Sequence, residues 1–329
     1  MEQKLFSKLL KRIFFTVKLT VTISLSIWII WHVDWHEMWN KLGDISPWLI
    51  LVVVSLRFLG ITISAHKWQR LLAVQGLRYS MGQLQSWYLV AMFLNYFLPT
   101  SIGGDSYRIY KTLNNPRSKV CALLAVGVER ISGIVALLLL GYVAALCNYA
   151  RNADELSGSL IVLGTVGILV ALIGMWIIVR WQLLQKLKKA KPYLKPLSIF
   201  IQFAGEFWQH PREIFIVSII SFIFHIIIIL AYWLLIYALG TRCNFIELII
   251  VVALINVVGL LPISLGGLGV VDGAFVYFMG YYGIDYETSL SAMLLWRCLL
   301  IPMNLLGAYF YCVGDRQAQT IEPSAIEQS

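Results

Sequence analysis

Six stretches of the chain are long enough and apolar enough to cross a lipid bilayer, and they decide what it can fold into. They run 13–31, 47–65, 120–147, 160–180, 214–239 and 288–313, with few or no charges in each. A helix needs about 20 such residues to traverse the hydrocarbon core, so the pattern predicts an all-α polytopic membrane protein with about six full transmembrane helices. Composition agrees, with 59% hydrophobic and 13% charged residues in 329, against about a quarter charged in a soluble domain.

The first stretch follows a basic start (Lys4, Lys8, Lys11, Arg12, Lys18). No small-residue cleavage site follows its long apolar run, so it reads as an uncleaved first helix rather than a signal peptide. Basic residues then set the orientation. Lys67, Arg70 and Arg78, then Arg108, Lys111, Arg117 and Lys119, then Lys186 to Lys195, mark three loops as cytoplasmic and place both termini in the cytoplasm of a bacterial inner membrane. The net charge of +9 is therefore the signature of positive-inside loops, not of a nucleic-acid partner. Five cysteines lack CxxC or Cys/His spacing, so neither a metal site nor any other cofactor is expected. Cys147 and Cys243 fall on the same outer side, where a disulfide is the less favoured alternative to two thiols.

Two apolar stretches end in the same punctuation, Leu98-Pro99-Thr100-Ser101-Ile102-Gly103-Gly104 and Leu261-Pro262-Ile263-Ser264-Leu265-Gly266-Gly267. This LPxSxGG pair predicts two re-entrant helical hairpins, 83–118 entered from the cytoplasm and 247–284 from the outside. Each half then contains two spans, a hairpin and one span, and the odd number of crossings inverts the second half relative to the first. The expected organisation is a first repeat over 1–150, a second over 151–315 with a basic amphipathic linker at 181–212, and a polar tail at 316–329. Inverted repeats with broken helices near the midplane are a transporter architecture.

Non-helical backbone at membrane depth is tolerated only where it is buried in protein or lines a cavity. The tips therefore predict a cavity into which Ser101, Gly103, Gly104 and Asp105, with Ser264, Gly266, Gly267 and Asp272, turn backbone amides and helix N-termini suited to a phosphate. Arg57, Arg130 and Arg297 each sit about ten residues into a span, on the order of 15 Å deep. Charges at that depth are expensive and mark function by default. Asp105, Glu129 and Asp272 are the available counter-charges, and a purely structural set of ion pairs is the competing account. Asn95 and Asn256 precede the tips as partners for freed backbone groups. His225 sits one turn from Ser221, where a hydrogen bond within the bundle outweighs a proton relay.

These residues resemble the flippase-like family typified by the transmembrane region of lysylphosphatidylglycerol synthase. The resemblance rests on Leu98 to Asp105 with Arg108, on Val128-Glu129-Arg130 with Gly133, on Leu261 to Gly269 with Asp272-Gly273-Ala274, and on Arg297. It implies a lipid flippase with an anionic lipid as partner: a phospholipid, an aminoacyl-phospholipid or an isoprenoid-phosphate carrier. The chain carries no soluble aminoacyl-transfer domain, so lysyl-lipid synthesis is not implied. It also has Val271-Asp272 where the family often has Arg-Glu after the second glycine pair. No nucleophile elbow, Walker loop or HExxH is present, so an enzyme is not expected. A membrane scaffold for envelope-lipid biosynthetic enzymes is the alternative, and the sequence leaves a homo-oligomer open.

Overall fold

The structure is a computed structural model describing residues 45–97, 102–113, 116–185, 209–261 and 263–321, with a few isolated positions before residue 45. The predicted span 13–31, tip residues 98–101 with Ser101, residue 262, most of the linker 181–212 and the end of the tail lie outside the described residues.

Among the described residues the chain forms ten α-helices: α1 (Pro47–Val74), α2 (Met81–Phe97), α3 (Ile102–Lys111), α4 (Pro116–Asn152), α5 (Glu155–Gln185), α6 (Pro211–Ala238), α7 (Phe245–Leu260), α8 (Val270–Tyr281), α9 (Tyr286–Cys298) and α10 (Ile301–Ile321). Starts are set by local chemistry. Pro47 and Pro211 occupy first-turn positions, where proline's fixed φ suits the helix and its missing N–H costs nothing. Asn244 and Asp285 cap α7 and α9 by accepting from Ile246 N and Thr288 N.

Four helical segments, Pro47–Val74, Val120–Asn152, Pro211–Ala238 and Tyr286–Val313, are long and apolar enough to cross a membrane, with shorter apolar helices at Glu155–Val170, Phe245–Leu260 and Val270–Tyr281. The protein is an all-α polytopic membrane protein. Exposed leucines, isoleucines and valines stud α4 and α5, among them Leu138, Val143, Leu163 and Leu169. On a soluble protein such faces are a liability, whereas acyl chains solvate them.

One predicted span needs refining, and two loop assignments need correction. The span predicted as 288–313 is found as the crossing segment Tyr286–Val313, and what the sequence did not give is the break inside it, where α9 ends at Cys298 and α10 begins at Ile301. Pro302 is the cause, because it has no N–H to donate back to Cys298 and its ring crowds the preceding turn. Lys67, assigned to a cytoplasmic loop, is 5% exposed, because α1 runs on to Val74 and carries it into the bundle. Arg108, assigned to another loop, is 2% exposed on α3.

The packing is crosswise. α1 lies along α6, while α2 packs on α10 and α7 packs on α4. The largest buried cluster joins Val53, Leu137 and Ala145 to Ile229, Ile250, Phe275 and Met293. Close approach is written into two glycines flanking α2: a methyl group on Gly104 would run into the Ala91 carbonyl, and one on Gly307 into the Leu89 carbonyl.

Candidate functional site

The first charged group is built on α2, α3 and α4. Asp105 stands in the first turn of α3, where the helix dipole favours a carboxylate. Arg108, one turn on, donates from Nη2 to Asp105 Oδ1 at 2.6 Å and from Nη1 to Glu129 Oε2 at 2.7 Å. Arg130 grips Asp105 side-on, Nε to Oδ2 and Nη2 to Oδ1, both at 3.1 Å. Glu129 is completed by the Tyr88 hydroxyl at 3.2 Å. Adjacent on the helix, Glu129 and Arg130 do not pair with each other: Glu129 turns inward at 5% exposure, and Arg130 outward at 51%. The Arg108 guanidinium also lies over the rings of Tyr88 and Trp68, at 4.6 Å and 5.0 Å.

The second charged group repeats the theme and closes it. Arg297 grips Asp272 side-on, Nε to Oδ1 at 2.7 Å and Nη2 to Oδ2 at 3.0 Å, and reaches the Gly267 carbonyl at 3.3 Å. Asp272 in turn accepts the Gly269 N–H at 2.7 Å, occupying the N-terminus of α8 with its own carboxylate. Gly266 and Gly267 make this turn at φ +58° and +76°, a region that excludes most side chains. The side chains of Arg297 and Asp272 are 15% and 7% exposed.

The two glycine pairs therefore do different work. Gly103 and Gly104 do not form a turn ahead of Asp105, because α3 starts at Ile102 and includes them. Gly104 instead lets α3 approach α2, and its N–H donates to Asn95 Oδ1 at 2.8 Å. Asn256 serves its own helix, donating to Val252 O at 2.8 Å.

Between these groups lies a cavity of about 330 Å³ lined by all of the described helices but α5 and α8. Arg57, Asp105, Arg108, Arg130, His225 and Trp296 are in its wall, together with Tyr88, Asn95 and Asn256. Of the residues predicted from sequence, Arg57, Asp105 and Arg130 meet here. Glu129 stands immediately behind Arg108. Ser264, Gly266, Gly267, Asp272 and Arg297 are outside the wall, where Arg297, next in the chain to Trp296, holds Asp272 and Gly267.

Arg57 differs from Arg108, Arg130 and Arg297 in that no described carboxylate pairs with it. Its guanidinium carbon stands 3.6 Å from the centre of the Trp296 ring, and Nη1 donates to the Trp296 carbonyl at 2.5 Å. That carbonyl is left over where α9 ends, since Leu300 N turns to Arg297 O instead. Tyr232 stacks on the indole with centroids 3.7 Å apart.

Sequence reasoning missed Lys67, Tyr88 and Trp296 as members of this site. Lys67 Nζ donates to Glu129 O and to Ser221 Oγ, both at 3.2 Å. His225 Nε2 meets the Gly133 carbonyl at 2.9 Å, the bundle hydrogen bond expected of it. A signal existed for Arg108, three residues after Asp105 and so on its helix face. Cys147 and Cys243 are both free thiols. Among the described residues no group of three or more His, Cys, Asp or Glu is arranged to hold a metal.

Comparison with known proteins adds a frame to this geometry. A family profile described as the lysylphosphatidylglycerol synthase TM region matches residues 15–307. A UPF0104 membrane protein of Methanothermobacter thermautotrophicus is 32% identical over 80 residues, which are 24% of this chain. The match spans about a quarter, 24%, of that relative's length.

Proposed function

We propose, from the premise that this chain belongs to the lysylphosphatidylglycerol synthase transmembrane-region family, that it binds the phosphate head group of an anionic lipid in the cavity at Arg57 and carries that lipid between membrane leaflets. One observation carries the reading: a buried guanidinium faces a cavity with no described carboxylate to neutralise it. A phosphate gives such a group two oxygens at the spacing of its planar fork. Arg130, in the same wall, is half-exposed beside Ile131, itself 57% exposed. A head group can meet Arg130 while its tails stay among acyl chains.

On this reading the two halves are inverted repeats, each with a hairpin dipping into the membrane, in a bacterial cytoplasmic membrane with both termini inside. The crosswise packing of α2 on α10 and α7 on α4 supports it. So do the two Asp–Arg pairs, each with partners 25 residues apart. Rocking one half against the other would expose the cavity to alternate sides.

The test is lipid exchange between leaflets in proteoliposomes holding the purified full chain and a phosphatidylglycerol labelled on its acyl chain. Wild type is expected to accelerate exchange and Arg57→Gln to lose most of that acceleration. Exchange no faster than in protein-free liposomes, across anionic lipids, would falsify the reading.

A further inference from the structure

Positive and negative groups around the cavity are not equally satisfied. Four cationic side chains, Arg57, Lys67, Arg108 and Arg130, surround two carboxylates, Asp105 and Glu129. All four carboxylate oxygens are already taken. Asp105 Oδ1 accepts from Arg108 and Arg130, and Oδ2 from Arg130. Glu129 Oε2 accepts from Arg108, and Oε1 from Tyr88.

Three of the aromatic faces around it, the other surface that attracts an ammonium, are occupied as well, which leaves Phe224 as the wall's aromatic with no described cation over it. Arg57 covers Trp296, and Arg108 covers Tyr88 and Trp68. An ammonium brought here would meet a net positive field, with no free carboxylate and none of these three rings open to it. An anion would meet the fork of Arg57 and the half-exposed Arg130.

We infer that the head group is an acid without an amine, a lipid phosphate or phosphoglycerol, and that the site turns away aminoacylated and ethanolamine head groups. This rests on the lipid-phosphate reading and narrows it: of the head groups open to a chain of this kind, those that carry an ammonium are excluded by the site's own ion pairs. The same saturation gives Arg108 a second role. By holding both carboxylates it keeps them from an amine, so it is a specificity determinant that does not itself touch the phosphate.

The experiment is native mass spectrometry of the gently solubilised full chain, offered equimolar phosphatidate, phosphatidylglycerol, phosphatidylethanolamine and lysyl-phosphatidylglycerol of one acyl composition. Phosphatidate and phosphatidylglycerol are expected to be retained about tenfold or more over the two amine lipids, a difference of about 1.4 kcal/mol. Arg57→Gln is expected to cut retention of the acids, while both carboxylates stay paired. Arg108→Gln, where it folds, is expected to raise retention of the amine lipids.

Equal retention of lysyl-phosphatidylglycerol and phosphatidylglycerol by wild type, with both reduced in Arg57→Gln, overturns the inference and leaves the lipid-phosphate reading standing. Retention of none of the four overturns that reading, and the inference with it. Millimolar inorganic phosphate is expected to leave the bound acids in place. If it strips them from the protein, the ligand is a soluble phosphate and the lipid head group is wrong.

Discussion

Arg57 lies against Trp296 twice over, its guanidinium on the indole face and its Nη1 on the backbone carbonyl of the same residue. The contact joins α1 to the end of α9 and leaves the rest of the guanidinium fork toward the cavity. Substitution with lysine keeps the charge and loses the planar fork that can hold a ring, a carbonyl and a phosphate together. Arg57→Lys and Arg57→Gln are both expected to slow lipid exchange about ten- to a hundredfold, as removal of a charge-assisted hydrogen bond would. Exchange at the wild-type rate in Arg57→Lys would show that charge alone matters.

Arg108 and Arg130 share Asp105 but differ in burial. Arg108 is almost fully enclosed, so truncating it leaves the buried Glu129 carboxylate with the Tyr88 hydroxyl but no cation bonded to it, at about 3–5 kcal/mol, while Asp105 keeps Arg130. Arg130 is half-exposed, and its loss leaves Asp105 still held by Arg108. In detergent, the melting temperature of Arg108→Ala is expected to fall well below that of Arg130→Ala. The reverse order would show that Arg130 is the structural member.

Asp272 and Arg297 form a closed ion pair, and removing either leaves the other with a backbone hydrogen bond but without its counter-charge. The single variants Asp272→Asn and Arg297→Gln are expected to destabilise more than additivity allows when set against the double variant, with a coupling of about 0.5–3 kcal/mol. Thermal unfolding of the four proteins measures it, and a coupling near zero would mean the pair contributes nothing as a unit.

Gly104 has no room for a side chain, since the obstacle is the Ala91 backbone rather than a movable side chain. Gly104→Val is expected to cost about 1–3 kcal/mol through overpacking and to displace Asp105 with α3. The measurement is lipid retention alongside melting temperature. Full retention with unchanged stability would show that α2 and α3 separate freely.

Asp154, in the turn between α4 and α5, accepts from Ser157, Asn148 and Tyr281. Burial works to raise its carboxyl, but these hydrogen bonds outweigh it and hold the group below the usual carboxylate range. A depressed folded value means that its contribution is complete above the unfolded-state value of about 3.9 and is lost as pH falls through the folded one. Asp154→Ala is expected to lower stability by about 0.5–2 kcal/mol at neutral pH, as loss of a helix cap does, and to matter less in acid. A pH-independent difference in melting temperature would count against this.

The sequence made some of this legible for simple reasons. Arg57, Arg130 and Arg297 stand out because a charge amid apolar residues has no bland explanation, and Asp105, Glu129 and Asp272 were the only nearby carboxylates worth weighing. Lys67 and Arg108 were misread because counting basic residues to find cytoplasmic loops cannot tell a loop lysine from one drawn inside by a longer helix. Tyr88 and Trp296 were invisible for another reason: an aromatic in an apolar run looks like packing until a guanidinium is seen on its face. The break after Cys298 was announced by Pro302, whose effect an unbroken apolar run conceals.

The crosswise packing has a consequence for biosynthesis. α2 is covered by α10, made long after it, so during translation the flank of α2 that Gly307 will touch must wait among lipids or borrow another cover. Among the described helices α10 is a late-arriving keystone, and α2 completes its packing only once α10 has been made.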